Sequence, residues 1–370
     1  MKQLRAVIRV DASIKIGSGH LMRCLTLANE LRAQGVQVEF ITREHRGNLV
    51  ATILTQRFAC HILPSHSTTS REDAAHAAWL GCSQEEDCSD TKEILSHSGA
   101  VDWLIVDHYA IDAGWETPMR QCARNIMVID DLADRLHDCD LLLDQNLYAN
   151  LDQRYSKIVP AACAQLLGPG YALISPDFAR QRELALAKKD HAPYRLLVFF
   201  GGVDATDETG KFLQAWGDCT RPTMIADVII GASNPRAQCL AEKAAALAGI
   251  RLHPHVSNMA EMMAQADYAF GASGVTNWER FCIGLNSTIV GVAQNQLKLA
   301  EHLAAFGLIE YLGDWRQTSA LVYERVLANL APRSENLAQR RKQIMAQVDG
   351  QGTYRVVQRL TEKLRPQTQA

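Results

Sequence analysis

The run Ala6-Val7-Ile8-Arg9-Val10 leads into Asp11-Ala12-Ser13-Ile14-Lys15-Ile16-Gly17-Ser18-Gly19-His20. A helical spacing of apolar residues then runs from His20 to Ala33, and a second β-branched run, Val36 to Ile41, follows. Strand, glycine turn, amphipathic helix and strand together are the punctuation of a βαβ unit. The alternation recurs with Cys60 to Leu63, Trp103 to Val106, Ile126 to Ile129 and Leu141 to Leu143. A doubly wound, mostly parallel α/β sheet is predicted for the N-terminal half.

After Leu167-Gly168-Pro169-Gly170-Tyr171 comes a polar stretch from Arg180 to Pro193, and the pattern then restarts with Arg195 to Phe200. Asp227 to Ile230, Tyr268 to Phe270 and Thr288 to Val292 read as further strands, and a helical pattern closes the chain from about Ser334 to Leu364. At 370 residues the chain has room for two cores. The expected organisation is two Rossmann-like domains, 1–180 and 190–370, facing across a cleft, with the terminal helix reaching back to the first. The acidic stretch from Ser65 to Ser98, with Gln84-Glu85-Glu86-Asp87, reads as one or two surface helices over the first sheet.

With 38 Lys plus Arg against 41 Asp plus Glu, the net charge is −3, which argues against a nucleic-acid-binding face and leaves room only for a small, locally held anion. The ten cysteines form no C-x-x-C pair, as expected of reduced thiols in a cytoplasmic protein. The apolar run after Met1 is too short for a signal-peptide core or a membrane span.

In open α/β sheets ligands sit at the carboxyl ends of the strands, so those ends hold the candidate residues. Asp11 closes the first strand. Gly17 and Gly19 permit a sharp turn that places His20 at the start of a helix, where it can accept a proton or simply cap. Gly17-x-Gly19-x-x-Met22 lacks the third glycine of a dinucleotide fingerprint, which disfavours an NAD-linked enzyme. Asp107-His108-Tyr109 and Asp130-Asp131 end two other strands, and their acids either hold sugar hydroxyls, tune His20 or cap loops. Asp138-x-Asp140 and His253-Pro254-His255 have metal-ligand spacing but lack further partners, so no metal is expected.

Gly201-Gly202 follows the first strand of the second half and allows close approach to the backbone. Ser273-Gly274-Val275-Thr276 opens a helix whose free amides suit a phosphate, and Glu279 in its first turns can accept hydrogen bonds from ribose hydroxyls. Asn295 and Gln296, at another helix start, offer amides to a sugar or cap the helix.

Together these segments resemble the UDP-sugar hydrolases of pseudaminic acid biosynthesis, which act on UDP-2,4-diacetamido-2,4,6-trideoxy-β-L-altropyranose. The resemblance rests on Arg9 to Ser13 with Gly17 to Arg23, Asp107 to Tyr109, Ile129 to Ala133, Gly201 to Asp204, Gly274 to Glu279 and Asn295-Gln296, in that order over about residues 5 to 300. It implies a GT-B-type fold, with UDP gripped by the second domain and the sugar facing the first. It also implies a cytoplasmic, metal-independent hydrolase that inverts the anomeric centre, in a route associated with flagellin glycosylation; no cofactor is expected, and a monomer is expected without any motif that fixes the oligomeric state. Carried onto this chain, the resemblance makes His20 the base for water and Tyr109 and Asn295 substrate contacts. Many relatives have a paired glycine, then serine and threonine, where this chain has Ser273-Gly274-Val275-Thr276. The competing readings are a GT-B transferase with an acceptor other than water, and a non-catalytic sugar-nucleotide sensor that would not need His20.

Overall fold

A computed structural model describes residues 3–66, 76–97, 99–187, 193–219, 223–231, 233–254, 256–330 and 334–363. Part of the acidic stretch (67–75 and Ser98), part of the polar linker (188–192), His255 and Leu364 lie outside the described residues. The chain divides into two compact units, Met1–Leu173 with Gly352–Ala370, and Ile174–Gln351.

In chain order the first unit holds β1 (Arg5–Val10), α1 (Gly19–Ala33), β2 (Gln37–Arg43), α2 (Val50–Thr55), β3 (Ala59–Leu63), α3 (Gln84–Ser96) and β4 (Val101–Asp107). It continues with α4 (Ala113–Met119), β5 (Ala123–Ile129), β6 (Leu141–Asp144), α5 (Leu151–Arg154) and β7 (Ala164–Leu167). Its strands form one parallel sheet in the order β3-β2-β1-β4-β5-β6-β7. Every residue of β1 and of β4 is buried, as befits central strands covered by helices on both faces. The order reverses between β1 and β4, so the connections after these two strands run to opposite sides, the position at which open α/β sheets bind their ligands.

The second unit holds α6 (Pro176–Ala187), β8 (Tyr194–Phe199), α7 (Glu208–Asp218), β9 (Met224–Ile229), α8 (Ala237–Ala245), β10 (Ile250–His253) and α9 (Met259–Gln265). Then come β11 (Tyr268–Ala272), α10 (Thr276–Ile283), β12 (Ser287–Gly291), α11 (Gln294–Ala305), β13 (Glu310–Asp314), α12 (Ala320–Asn329) and α13 (Glu335–Gln347). Its sheet is also parallel, in the order β10-β9-β8-β11-β12-β13, and reverses between β8 and β11.

The division falls at Leu173, short of the 180–190 linker expected from composition. The cause is α6, which packs on α9 and α10 and whose Arg182 donates to the carbonyls of Cys282 (2.7 Å), Val348 (2.9 Å) and Met345 (3.0 Å). The single closing helix expected from Ser334 to Leu364 is two. Gly350, at φ +84° and packed on Ala179 and Cys282, breaks it after α13, and α14 (Gly352–Glu362) follows in the first unit. There Val356, Val357 and Leu360 enter the core beside α1, and Trp103 Nε1 donates to the Leu360 carbonyl at 2.9 Å.

The acidic stretch contributes α3, which is more than a surface helix. Ser83 caps it in a reciprocal capping box with Glu86, and its inward face buries Asp87, Cys88, Thr91 and Leu95. The fully buried Asp87 carboxylate accepts from Arg9 (3.1 and 2.6 Å), Arg43 (2.8 Å) and Trp115 Nε1 (3.0 Å), tying α3 to β1, β2 and α4. Asp87→Ala would leave two buried guanidiniums without a carboxylate they share, at a cost of about 3–5 kcal/mol. We expect the urea midpoint of the first unit's transition to fall accordingly; a loss under about 1 kcal/mol would show that the network contributes little.

Candidate active site

After β1 the chain pinches into a tight loop. Gly17, at φ +82°, donates its N–H to the Ser13 carbonyl (2.8 Å), while Ser13 Oγ accepts from the amides of Lys15 and Ile16. This turn starts α1 at Gly19 and makes His20 its second residue, against the last residue of β4. His20 Nδ1 lies 2.6 Å from Asp107 Oδ1. Arg23, one turn along α1 on the same face, donates to both Asp107 oxygens (2.7 Å each) and to Asp131 Oδ2 (2.7 Å).

Burial alone would raise the Asp107 pKa, but the Arg23 guanidinium and the His20 imidazole hold it below the ordinary carboxylate range. An ionised carboxylate only accepts, so the proton of the short bond sits on His20 Nδ1. Arg23 also comes within 3.3 Å of Nδ1, but two donors meet there and no hydrogen bond results. His20 Nε2 makes no hydrogen bond among the described residues and is not fully enclosed, which leaves its lone pair available. Asp107 therefore orients His20 and, being 1% exposed, does not itself meet a substrate.

Tyr109 packs its ring edge against His20, with centroids 4.5 Å apart, and its hydroxyl donates to Asp131 Oδ2 at 2.7 Å. Asp131 thus joins Arg23 to Tyr109. Two more rings reach the cluster, Trp79 with its centroid 6.2 Å from that of His20 and His76 5.2 Å from that of Tyr109, and these two and Arg23 were not singled out from the sequence. The spacing of Arg23 three residues after His20 was the available signal, whereas Trp79 and His76 arrive from a distant segment that no local pattern connects to His20.

Two expected substrate contacts are corrected in character. Asp11 is 1% exposed, and Arg9 (2.5 and 2.9 Å) and the Arg43 amide (2.7 Å) occupy its oxygens, with His108 Nε2 3.2 Å away. Although burial opposes it, Arg9 holds Asp11 well below the usual carboxylate range. It is a structural anion beneath the site. Ser273 is also buried, with its amide donating to the Val290 carbonyl (3.1 Å) and its Oγ accepting from Asn277 Nδ2 (3.1 Å).

Asp130 is buried as well, accepting from the Ala133 amide (2.8 Å) with Arg135 2.8 Å away. Asp138 and Asp140 both pair with Arg120, and His253 pairs with Asp227 at 2.8 Å. Among the described residues no group of three or more His, Cys, Asp or Glu side chains is placed to hold a metal ion.

In the second unit the candidates gather at the ends of β8, β11 and β12. A Cβ on Gly231, in the loop after β9, would collide with the Gly202 backbone, so it is Gly231 whose lack of a side chain permits the close approach seen here. Gly271 is required in β11 because any side chain there would meet Arg280 and the Phe199 carbonyl. Gly274, at φ +140°, bends the chain into α10; the amides of Asn277 and Trp278 donate to the Gly274 and Val275 carbonyls (2.9 Å each), and those of Gly274, Val275 and Thr276 have no hydrogen bond among the described residues. Gln296 Nε2 comes within 3.8 Å of where a Cβ on Gly274 would stand, so the loops after β11 and β12 converge.

Gln296 Oε1 also accepts from the Val292 amide (3.3 Å), whereas the Asn295 side chain has no hydrogen bond among the described residues. Glu279 projects half-buried from α10, unpaired in any hydrogen bond among the described residues, and burial pushes its pKa up to about 7. Val275 and Thr276 complete the helix start.

No family model matches the chain. The chain is 27% identical over 311 residues to the UDP-2,4-diacetamido-2,4,6-trideoxy-beta-L-altropyranose hydrolase of Campylobacter jejuni, covering 83% of this chain and 99% of that protein. By sequence, the chain is similar to that hydrolase along almost all of the hydrolase's length. By fold it is similar to MurG of Acinetobacter baumannii (TM-score 0.69, 14% identity, 98% of this chain and 100% of that one) and to the calicheamicin glycosyltransferase CalG4 (TM-score 0.67, 16% identity, 100% of both). The fold is GT-B-type, with two parallel-sheet α/β domains. No helix among the described residues is long and apolar enough to cross a membrane.

The tautomer of His20 is open to test. In Asp107→Asn the new amide must face either Arg23, which only donates, or His20 Nδ1, which can turn acceptor. The neutral ring is then driven to the Nε2–H form. Nitrogen-15 NMR should show Nδ1–H in the parent protein and Nε2–H in the variant; Nε2–H in both would contradict the assignment.

Proposed function

We propose that this chain hydrolyses UDP-2,4-diacetamido-2,4,6-trideoxy-β-L-altropyranose to UDP and the free sugar by attack of water at the anomeric carbon, with inversion. The observation that carries the proposal is the Asp107-oriented His20 with Nε2 left open, in a chain similar to a hydrolase of that name. A water proton passes to His20 Nε2 as the water oxygen bonds to C1, the C1–O bond breaks, and its electron pair leaves on the diphosphate of UDP. Ordinary glycosidases add a carboxylic acid to protonate an alkoxide leaving group. A phosphate oxygen with a last pKa of roughly 6 departs as an anion without one.

The second unit's assignment is the nucleotide. The amides leading into α10, at Gly274 to Thr276, suit the diphosphate, and Glu279 suits the ribose diol as an acceptor of two hydroxyls. The open amide of Asn295 suits the sugar side of the diphosphate. The glycosyltransferases that share the fold favour one other reading, in which a hydroxylated acceptor replaces water at the same base.

Replacing the base separates binding from chemistry. His20→Leu should lower turnover of the UDP-sugar by about 10²–10⁴-fold while its affinity, read by calorimetry, stays within about threefold. Turnover unchanged in the variant would remove His20 from the reaction.

Glu279 generates a pH dependence. Below about pH 7 it is protonated and loses acceptor capacity; above it the carboxylate is ionised. Ribose hydroxyls stabilise the ionised form, so affinity falls as pH drops from 8 to 6. Uridine lacks the phosphates that would titrate in this range, and its affinity, followed by NMR, should weaken several-fold over that interval and become flat in Glu279→Gln. An equal slope in both proteins would exclude Glu279 from the ribose site.

A further inference from the structure

We propose that Trp79 is a specificity-determining residue of this site, forming with Tyr109 and His76 an aromatic wall beside His20 that packs on the apolar face and methyl groups of the sugar being cleaved. The inference rests on the sugar-nucleotide reading of the site and names the feature of the sugar that the first unit recognises.

Four rings converge here. The Trp79 and Tyr109 rings stack with centroids 5.6 Å apart and planes 26° from parallel. His76 meets Trp79 at 4.6 Å and Tyr109 at 5.2 Å, both edge-on, and Trp79 meets His20 at 6.2 Å, also edge-on. Trp79 ends a single 3₁₀ turn, Ala77–Trp79, and the next residue, Leu80, is 1% exposed in the core of the first unit. That anchor leaves Trp79 and His76 half-buried and outside the core, with aromatic surface open next to the base.

The Tyr109 hydroxyl donates its hydrogen bond to Asp131, so the ring is what Tyr109 brings to this wall. An aromatic face attracts the slightly positive C–H edges of a pyranose, and it gains more from methyl groups than from hydroxyls, which it would strip of water. A 6-deoxy sugar with acetamido substituents carries such methyls where a fully hydroxylated hexose carries polar groups. Preference for deoxy, N-acetylated sugars over hydroxylated ones then follows from Trp79.

The test uses the full-length His20→Leu protein, which leaves the ligand intact, and measures by calorimetry its affinity for UDP-2,4-diacetamido-2,4,6-trideoxy-altropyranose, for UDP-N-acetylglucosamine and for UDP alone. Adding Trp79→Ala should weaken the first about tenfold, the second less, and UDP by under about twofold, whereas Trp79→Phe should restore most of the loss. An undiminished affinity for the diacetamido sugar nucleotide in Trp79→Ala, or an equal loss for UDP, would overturn the wall. Because binding is read without turnover, a parent protein that binds in this Trp79-dependent way but releases no sugar would remove the hydrolase reading and leave the wall standing.

Discussion

The site depends on one buried carboxylate. Asp107 ends β4, the neighbour of β1 across the point where the strand order of the first unit reverses, and it accepts from His20 and twice from Arg23. A buried anion is tolerable only when paired and hydrogen-bonded, and Arg23 supplies that compensation. Because Arg23 keeps Asp107 ionised, Asp107 can accept only, the proton stays on Nδ1, and Nε2 is presented as a base. Arg23 then reaches on to Asp131 and, through it, to Tyr109, so a single guanidinium sets the geometry of the base and of the aromatic ring beside it.

The same logic is written twice in the chain. Each unit reverses its strand order once, and in each the glycine-bearing loops lie at that reversal: Gly17 and Gly19 after β1, Gly201 and Gly202 after β8, Gly274 after β11. What differs is the chemistry planted there. The first unit carries an oriented imidazole surrounded by aromatic rings, whereas the second carries helix-start amides, a half-buried carboxylate and an open amide. That division of labour suits a substrate whose two ends differ as much as an acetylated deoxy sugar and a nucleoside diphosphate.

Much of this was legible in the residues, and the failures have physical causes. The central strands stand out because both faces are covered and their sequences run continuously apolar, as in Ala6-Val7-Ile8. β7, β10 and β13 escaped notice because each lies at an edge of its sheet, is short and partly exposed, and carries polar residues such as Glu310 and Asp314. His20, Asp107, Tyr109 and Glu279 were readable as candidates from their places at strand ends and helix starts. The roles of Asp11 and Ser273 were not, since a strand-end acid that serves a ligand and one that serves Arg9 look alike until the partner's position is known. Trp79 illustrates the converse: its importance comes from two rings, His20 and Tyr109, that are distant from it in sequence.

The central claim, that His20 directs water to the anomeric carbon of a UDP-sugar, is tested most directly by NMR of the protein with the UDP-diacetamido-altropyranose in water enriched in oxygen-18. Label on the anomeric oxygen of a sugar released with inverted configuration is the predicted result. Label on UDP would place the attack at phosphorus, and the absence of any released sugar until an acceptor is added would replace the hydrolase with a transferase; either would contradict the claim.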